Sequence, residues 1–390
     1  MKNAIKYLPV LAFFIFATSY ALGDEATEYM SRGIEQGQKH NLNQAIADFT
    51  KVIELDPNNF AAYTERGLAK MALVKDSKDK NAMIASALAD YSKAIELNPG
   101  IPQAYYNRGV LETGTGDFDS AIFDFSQTIA LKPEPVYLSQ AYMFRGSLRG
   151  GKNEYAEAMA DLNEAIRLNP RLAKAFQWRG DLKQRKADKS GAVADYCEAY
   201  LLGGIEEGEH RQFSASIIDL TKAIELNPKR ALAYYYRAIS NREKGNLDAA
   251  MDDFAKTIEL VPDASEAYNA LGDLKKVKGD LDGAMADFNK AIQIKPDFAN
   301  AYYNRGNAEY AKHELNGALA DYSKAIELKP KFGKAYYNRG IVEKDKGDLV
   351  GAKSDFNLAS ELSPELGDLI KSKGYLLESG TFMPLSPVRG

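Results

Sequence analysis

Aspartate recurs along this 390-residue chain at Asp48, Asp90, Asp124, Asp161, Asp195, Asp219, Asp253, Asp287, Asp321 and Asp355. In eight of the ten cases an arginine precedes it by sixteen residues or, once, by twenty-four: Arg32, Arg66, Arg108, Arg145, Arg179, Arg237, Arg305 and Arg339. Ten carboxylates invite a calcium reading, but a calcium loop crowds its acids within about twelve residues. The chemistry left is an ion pair: a guanidinium and a carboxylate can join through two parallel hydrogen bonds. Arg305 with Asp321 and Arg339 with Asp355 are therefore expected as structural pairs, within one unit or to the next. Nucleophilic chemistry has less to draw on. The three histidines are far apart, and Cys197 is the only cysteine, so an intramolecular disulfide, a CxxC redox pair and a cysteine zinc site are excluded. The glycine-rich strings lack a phosphate-loop or dinucleotide pattern, and no strand is read anywhere. The chain is read as non-enzymatic, with no cofactor and no metal.

The elements that must position these charges announce themselves by a period. Pro228, Pro262, Pro296, Pro330 and Pro364 are spaced by 34 residues, and AYYNRG stands at 104–109, 301–306 and 335–340. Most of the prolines close an apolar helix-forming run such as KAIELNP or KAIELKP. Such a period predicts a solenoid, in which each unit buries its apolar face only against its neighbours. With the recurrent proline as position 32, ten units run from about 26 to 364. Position 8 is glycine in nine, position 20 alanine in nine, and position 4 aromatic in all ten, from Tyr29 to Tyr336. The glycine is expected to let the second helix pack close, small residue to small residue, and the position 4 ring to be core. At position 15, Gly116, Gly245, Gly279 and Gly347 fit a left-handed helix cap, and Asn153, His40 and His313 hold the same slot.

Glycine at 8, alanine at 20, an aromatic at 24, alanine at 27 and proline at 32 together resemble the tetratricopeptide repeat, over nearly all of the chain after residue 23. The resemblance implies an all-α fold: a right-handed superhelical α-solenoid of antiparallel helix pairs. It also implies that first helices line a concave groove and bind partner segments through positions 2, 5, 6, 9 and 12. The groove candidates are Asn107, Trp178, Asn269, Asn300, Tyr303, Asn304, Asn307, Lys334, Tyr337 and Asn338. Asparagine can bond an extended peptide backbone through donor and acceptor together, and tyrosine gives rigid contact area with a polar tip. Asn107, Asn304 and Asn338, at position 6, resemble pieces of the asparagine ladder in the repeat domain of O-linked GlcNAc transferase. The two-carboxylate clamp of chaperone-binding members is poorly matched.

The period breaks in three places. About eight extra residues lie around VKDSKDKN, either a longer helix pair or a solvated loop, and EPVY adds three between units. From Pro170 to Pro228 ten residues are missing, and CEAYLLGG fits two registers. A turn at Gly203–Gly204 followed by a stunted helix over about 205–211 is the expectation there, because paired glycines are poor helix interior. The expected organisation is a signal peptide over 1–23, block one over 24–203, block two over 204–364 with its first repeat truncated, a capping helix over 365–380 and a loose tail over 381–390. The signal rests on Lys2 and Lys6, the apolar LPVLAFFIFATSYALG and the acids from Asp24, with cleavage after Ala21 or Gly23; the rival reading is an uncleaved anchor, for which the apolar run is short. An exported protein, periplasmic or secreted, follows. A net charge of −4 gives no overall basic field for nucleic acid. The expected partner is a protein or peptide segment; the alternative is an envelope or polysaccharide assembly factor contacting glycan.

Overall fold

The computed structural model describes residues 24–375, and among them every regular element is a helix. The expected signal peptide and loose tail lie outside these residues. The chain divides into two units, the first ending at Leu202 and the second beginning at Gly203. The first holds α1 (Asp24–Gln38), α2 (Leu42–Leu55), α3 (Phe60–Leu73), α4 (Lys80–Leu97), α5 (Pro102–Thr115), α6 (Phe118–Ala130), α7 (Pro135–Gly151), α8 (Tyr155–Leu168) and α9 (Ala173–Arg185). Helix α10 (Lys189–Glu209) contains the boundary. The second holds α11 (Phe213–Leu226), α12 (Ala231–Glu243), α13 (Leu247–Leu260), α14 (Ser265–Val277), α15 (Leu281–Ile294), α16 (Ala299–Ala311), α17 (Leu315–Leu328), α18 (Gly333–Asp345), α19 (Leu349–Leu362) and α20 (Pro364–Ser372). No described helix is long and apolar enough to cross a membrane.

One hairpin shows why the sequence folds this way. In α17, LNGALADYSKAIEL, the apolar residues fall on one helical stripe, and Ala318, Tyr322, Ala325 and Ile326 are buried. The stripe meets α16 at Gly306, where an added Cβ would lie 2.9 Å from the Tyr322 ring. The same notch recurs: Gly33 on Phe49, Gly67 on Tyr91, Gly272 on Phe288 and Gly340 on Phe356, all within 3.0 Å. So the position 8 glycine receives the ring of position 24 as well as the close approach of the small position 20 residue. The alanines of position 20 are fully buried beside it, Ala284 and Ala352 presenting backbone oxygens 3.0 and 3.2 Å from the notch. The position 4 ring corrects its expectation. Phe49, Tyr91, Phe125, Phe254, Phe288, Tyr322 and Phe356, all at position 24, are the core rings, whereas nine of the ten position 4 rings are half-buried.

The hairpin turns are left-handed caps, as expected. Gly116, Gly245, Gly279 and Gly347 have φ between 81° and 91°, while His40, Asn153 and His313 have 62°, 66° and 61°. Ala187 and Arg211, at 62° and 59°, adopt the same conformation without the residue types that favour it. In each, the position 16 N–H reaches back to the position 11 carbonyl, as Glu314 N does to Glu309 O at 2.8 Å.

At the junction the expected turn is absent. Helix α10 runs unbroken for 21 residues through Gly203 and Gly204, serving first as a second helix and then as a first helix. Its glycines are packing notches: a Cβ on Gly204 would lie 2.6 Å from Leu220, and one on Gly203 would lie 3.2 Å from the Asp219 carboxylate. Cys197 and Leu201 are buried on the same helix. Burial of this kind outweighs the roughly 1 kcal/mol that each interior glycine costs against alanine. The other two breaks are absorbed by length. VKDSKDKN yields both a six-residue connection and an α4 of 18 residues, and EPVY extends α7 to 17 residues. At the far end α20 packs on α18 and α19, burying Ile370, while Tyr375 stacks on Phe356 at 4.9 Å.

Candidate functional site

The charge pairs form as predicted within each hairpin. In all eight, Nε and Nη2 of the arginine donate to the two oxygens of the position 23 aspartate; for Arg305 and Asp321 both distances are 2.7 Å. Arg339 and Asp355 are joined at 2.7 and 2.9 Å. The third donor was not foreseen. In seven of the eight, Nη1 reaches position 25 of the preceding hairpin, from Arg66 to Thr50, Arg305 to Asn289 and Arg339 to Ser323, for example. Each guanidinium also lies over its position 4 ring, 4.8–5.8 Å from the centroid. One side chain thus ties three helices and covers the half-buried ring in every unit that carries the arginine. Where position 7 is Leu271 instead, Lys275 takes Asp287 at 2.7 Å.

These pairs fix the first helices side by side: α3 against α5 and α5 against α7 in the first unit, α14 against α16 and α16 against α18 in the second. The residues expected to bind lie along that inner layer, and the two units treat them differently. Over α3, α5 and α7 of the first unit the layer is sealed, while Ser31 on α1 and Gln177 on α9 are exposed. Thr64, Glu65, Tyr106, Asn107, Met143 and Phe144, at positions 5 and 6, are all buried. The seal comes from the EPVY insertion, whose Tyr137 packs edge-on against Tyr106 at 5.2 Å while the Tyr106 hydroxyl donates to Gln140 at 2.6 Å. Burial pushes the Tyr137 phenol well above its ordinary range. Trp178 is half-buried against Phe144, 6.0 Å between rings.

In the second unit the layer stays half-open, and its amides are linked from helix to helix. Asn304 donates to Asn269 at 3.0 Å, joining α16 to α14. Asn338 donates to Asn307 at 2.7 Å and to the Tyr303 hydroxyl at 3.2 Å, joining α18 to α16. Asn307 also accepts from Tyr322 at 2.8 Å, so the ladder is anchored in the core. Tyr303 and Tyr337 rest on core rings, 5.9 Å from Tyr322 and 6.0 Å from Phe356. Asn300 and Lys334 are exposed at the edge. Tyr310 donates to Asp345 at 2.7 Å, which raises its phenol to about 12. This face offers amide and hydroxyl groups held in fixed register, with charges mostly paired off, as in Lys276 with Asp273. Among the described residues no cluster of histidine, cysteine, aspartate or glutamate could hold a metal.

The family models match the same repeat. The family described as TPR repeat matches 277–312 and 306–347, and two described as tetratricopeptide repeat match 77–134 with 201–264, and 26–59 with 139–172. Comparison with curated proteins finds no match. Among solved structures, "Crystal structure of MamA" is similar at 24% identity over 44% of this chain and 96% of that one, with a TM-score of 0.39. "Crystal Structure of the Yeast Tom70" is similar at 15% identity over 89% of this chain and 95% of that one, with a TM-score of 0.40. With its matched segments spread through both units, the chain belongs to the tetratricopeptide repeat family, whose arrays are scaffolds for protein–protein interaction.

Proposed function

We propose that this is an exported, non-enzymatic scaffold that binds an extended protein segment along the first helices of its second unit. The observation that carries the proposal is the contrast between the two inner layers. Positions 5 and 6 are buried on α3, α5 and α7, where Tyr137 packs on Tyr106, whereas Asn269, Tyr303, Asn304, Asn307, Tyr337 and Asn338 stay half-exposed on α14, α16 and α18. An extended chain presents a peptide N–H and C=O at every residue, and a row of fixed amides answers both. Preset side chains also lower the ordering cost of binding. Export rests on the order of the first 23 residues, basic then apolar then small, before the acids begin.

The test is photo-cross-linking in an envelope extract, with the reactive group placed at Asn300 on α16 or at Lys290 on the outer helix α15. The proposal expects protein adducts from Asn300 and few from Lys290. Equal labelling of both positions overturns the site, and adducts to polysaccharide alone favour a glycan-contacting role. A chain that keeps residues 1–23 and stays in the cytoplasm overturns export.

A further inference from the structure

Position 11 faces position 23 across each hairpin, and its residue type splits the repeats. In four it is a cation that pairs with the aspartate, beside the arginine in three and in place of it at Asp287. Lys70 reaches Asp90 at 2.6 Å, Arg149 reaches Asp161 at 2.9 Å, Lys183 reaches Asp195 at 2.8 Å and Lys275 reaches Asp287 at 2.7 Å. In three others that also carry the arginine, the same position is an acid: Glu112, Glu309 and Glu343. Both oxygens of the facing Asp124, Asp321 and Asp355 already accept from the arginine. That arginine stays 3.8 Å from Glu112 and 3.8 Å from Glu343, too far for a hydrogen bond. In all three glutamates Oε2 is buried and has no hydrogen-bond partner. Glycine makes room for two of them: a Cβ on Gly317 would lie 2.8 Å from the Glu309 carboxyl, and one on Gly351 would lie 3.0 Å from that of Glu343.

We infer that these three hairpins carry proton latches: each glutamate keeps a proton that it donates to the facing aspartate, and releasing that proton to solvent loosens the hairpin. Two carboxylates in one half-buried seam cannot both stay ionised without cost, so one holds a proton. Glu112 is faced by Asp124, Asp117 and Arg108; Glu309 by Asp321, Glu314 and Arg305; Glu343 by Asp355, Asp348 and Arg339. Burial first, and the facing aspartate next, push each glutamate up to about 7, while the arginine pulls the other way. The folded value exceeds the unfolded one of 4.5, so the stabilisation is present in acid and is lost as pH rises through about 7. Glu309 and Glu343 lie on α16 and α18, so the latch would regulate the helices of the proposed binding face, although it does not depend on that face binding anything.

The test uses the full chain. Urea midpoints are measured at about pH 5.5 and about pH 8 for the wild type, for E309Q/E343Q and for E309K/E343K. The wild-type midpoint should fall between the two pH values by more than that of the glutamine variant, whose amides donate at either pH. The lysine variant, which copies the Lys183–Asp195 pairing, should have the highest midpoint at pH 8. Equal pH dependence of wild type and glutamine variant overturns the inference. Should the variants fail to fold, carboxyl-carbon NMR of the wild type decides independently: three glutamates titrating near neutrality uphold it, and all glutamates titrating below about 5.5 overturn it.

Discussion

Replacing Arg305 by alanine removes one side chain from three helices. It breaks two 2.7 Å bonds to Asp321, the 2.6 Å bond to Asn289 and the stacking over Tyr302 at 5.4 Å. What remains is an aspartate with a side chain only 6% exposed, facing Glu309 with no guanidinium between them. A fully buried pair costs about 3–5 kcal/mol when one partner is removed, an exposed pair under about 1. Arg305 is 22% exposed, which places the pair nearer the buried limit but discounted for solvent, so a loss of about 3 kcal/mol is expected. Repeat arrays unfold by segments, so a single global midpoint understates a local loss. The assay is therefore urea melting together with native-state hydrogen exchange of the α16 and α17 amides. Protection there should fall by roughly two powers of ten, while α12 and α13 are little changed. Arg305→Lys should recover little, because an ammonium cannot make the two-pronged contact and reach Asn289 as well. Combining Arg305→Ala with Asp321→Asn should cost less than the two changes added. A loss under about 1 kcal/mol for Arg305→Ala, with α17 protection intact, would refute the clamp.

Two further outcomes test the packing and the turns. Gly306→Ala should cost about 1–2 kcal/mol in urea melts, because its Cβ meets the Tyr322 ring at 2.9 Å; the value stays modest since Ala238 fills the same slot natively opposite Phe254. Ala187→Gly should raise the unfolding free energy from urea melts by about 0.5 kcal/mol, because it relieves a left-handed alanine at φ 62°, whereas Gly245→Ala, at φ 81°, should lose about 1 kcal/mol.

The repeat was legible because its physics repeats: proline spacing, a glycine notch and a left-handed cap leave the same marks in most of the ten units. The Arg–Asp pairs were legible for the same reason. What the pattern hid were roles that depend on a neighbouring unit. Position 4 was read as core since nothing in one unit shows that an arginine will lie over it. The junction was misread because glycine counts against a helix locally, while the contacts of Gly203 and Gly204 with Asp219 and Leu220 favour it from outside. Asn107 and Asn304 hold the same slot, yet one is buried and one half-open, a difference between neighbouring units that the slot itself does not carry. The alternation of Lys70, Glu112, Arg149 and Lys183 at position 11 was visible in the sequence and is the signal by which the carboxyl pairs could have been found.

The central claim is that the half-open first helices of the second unit take up a partner's extended chain. Hydrogen–deuterium exchange of the full chain, alone and saturated with a cross-linked partner segment, measures this most directly. The account predicts added protection on α14, α16 and α18 and little change on α15, α17 and α19. Protection confined to the second helices, or to the sealed α5 and α7, would contradict it.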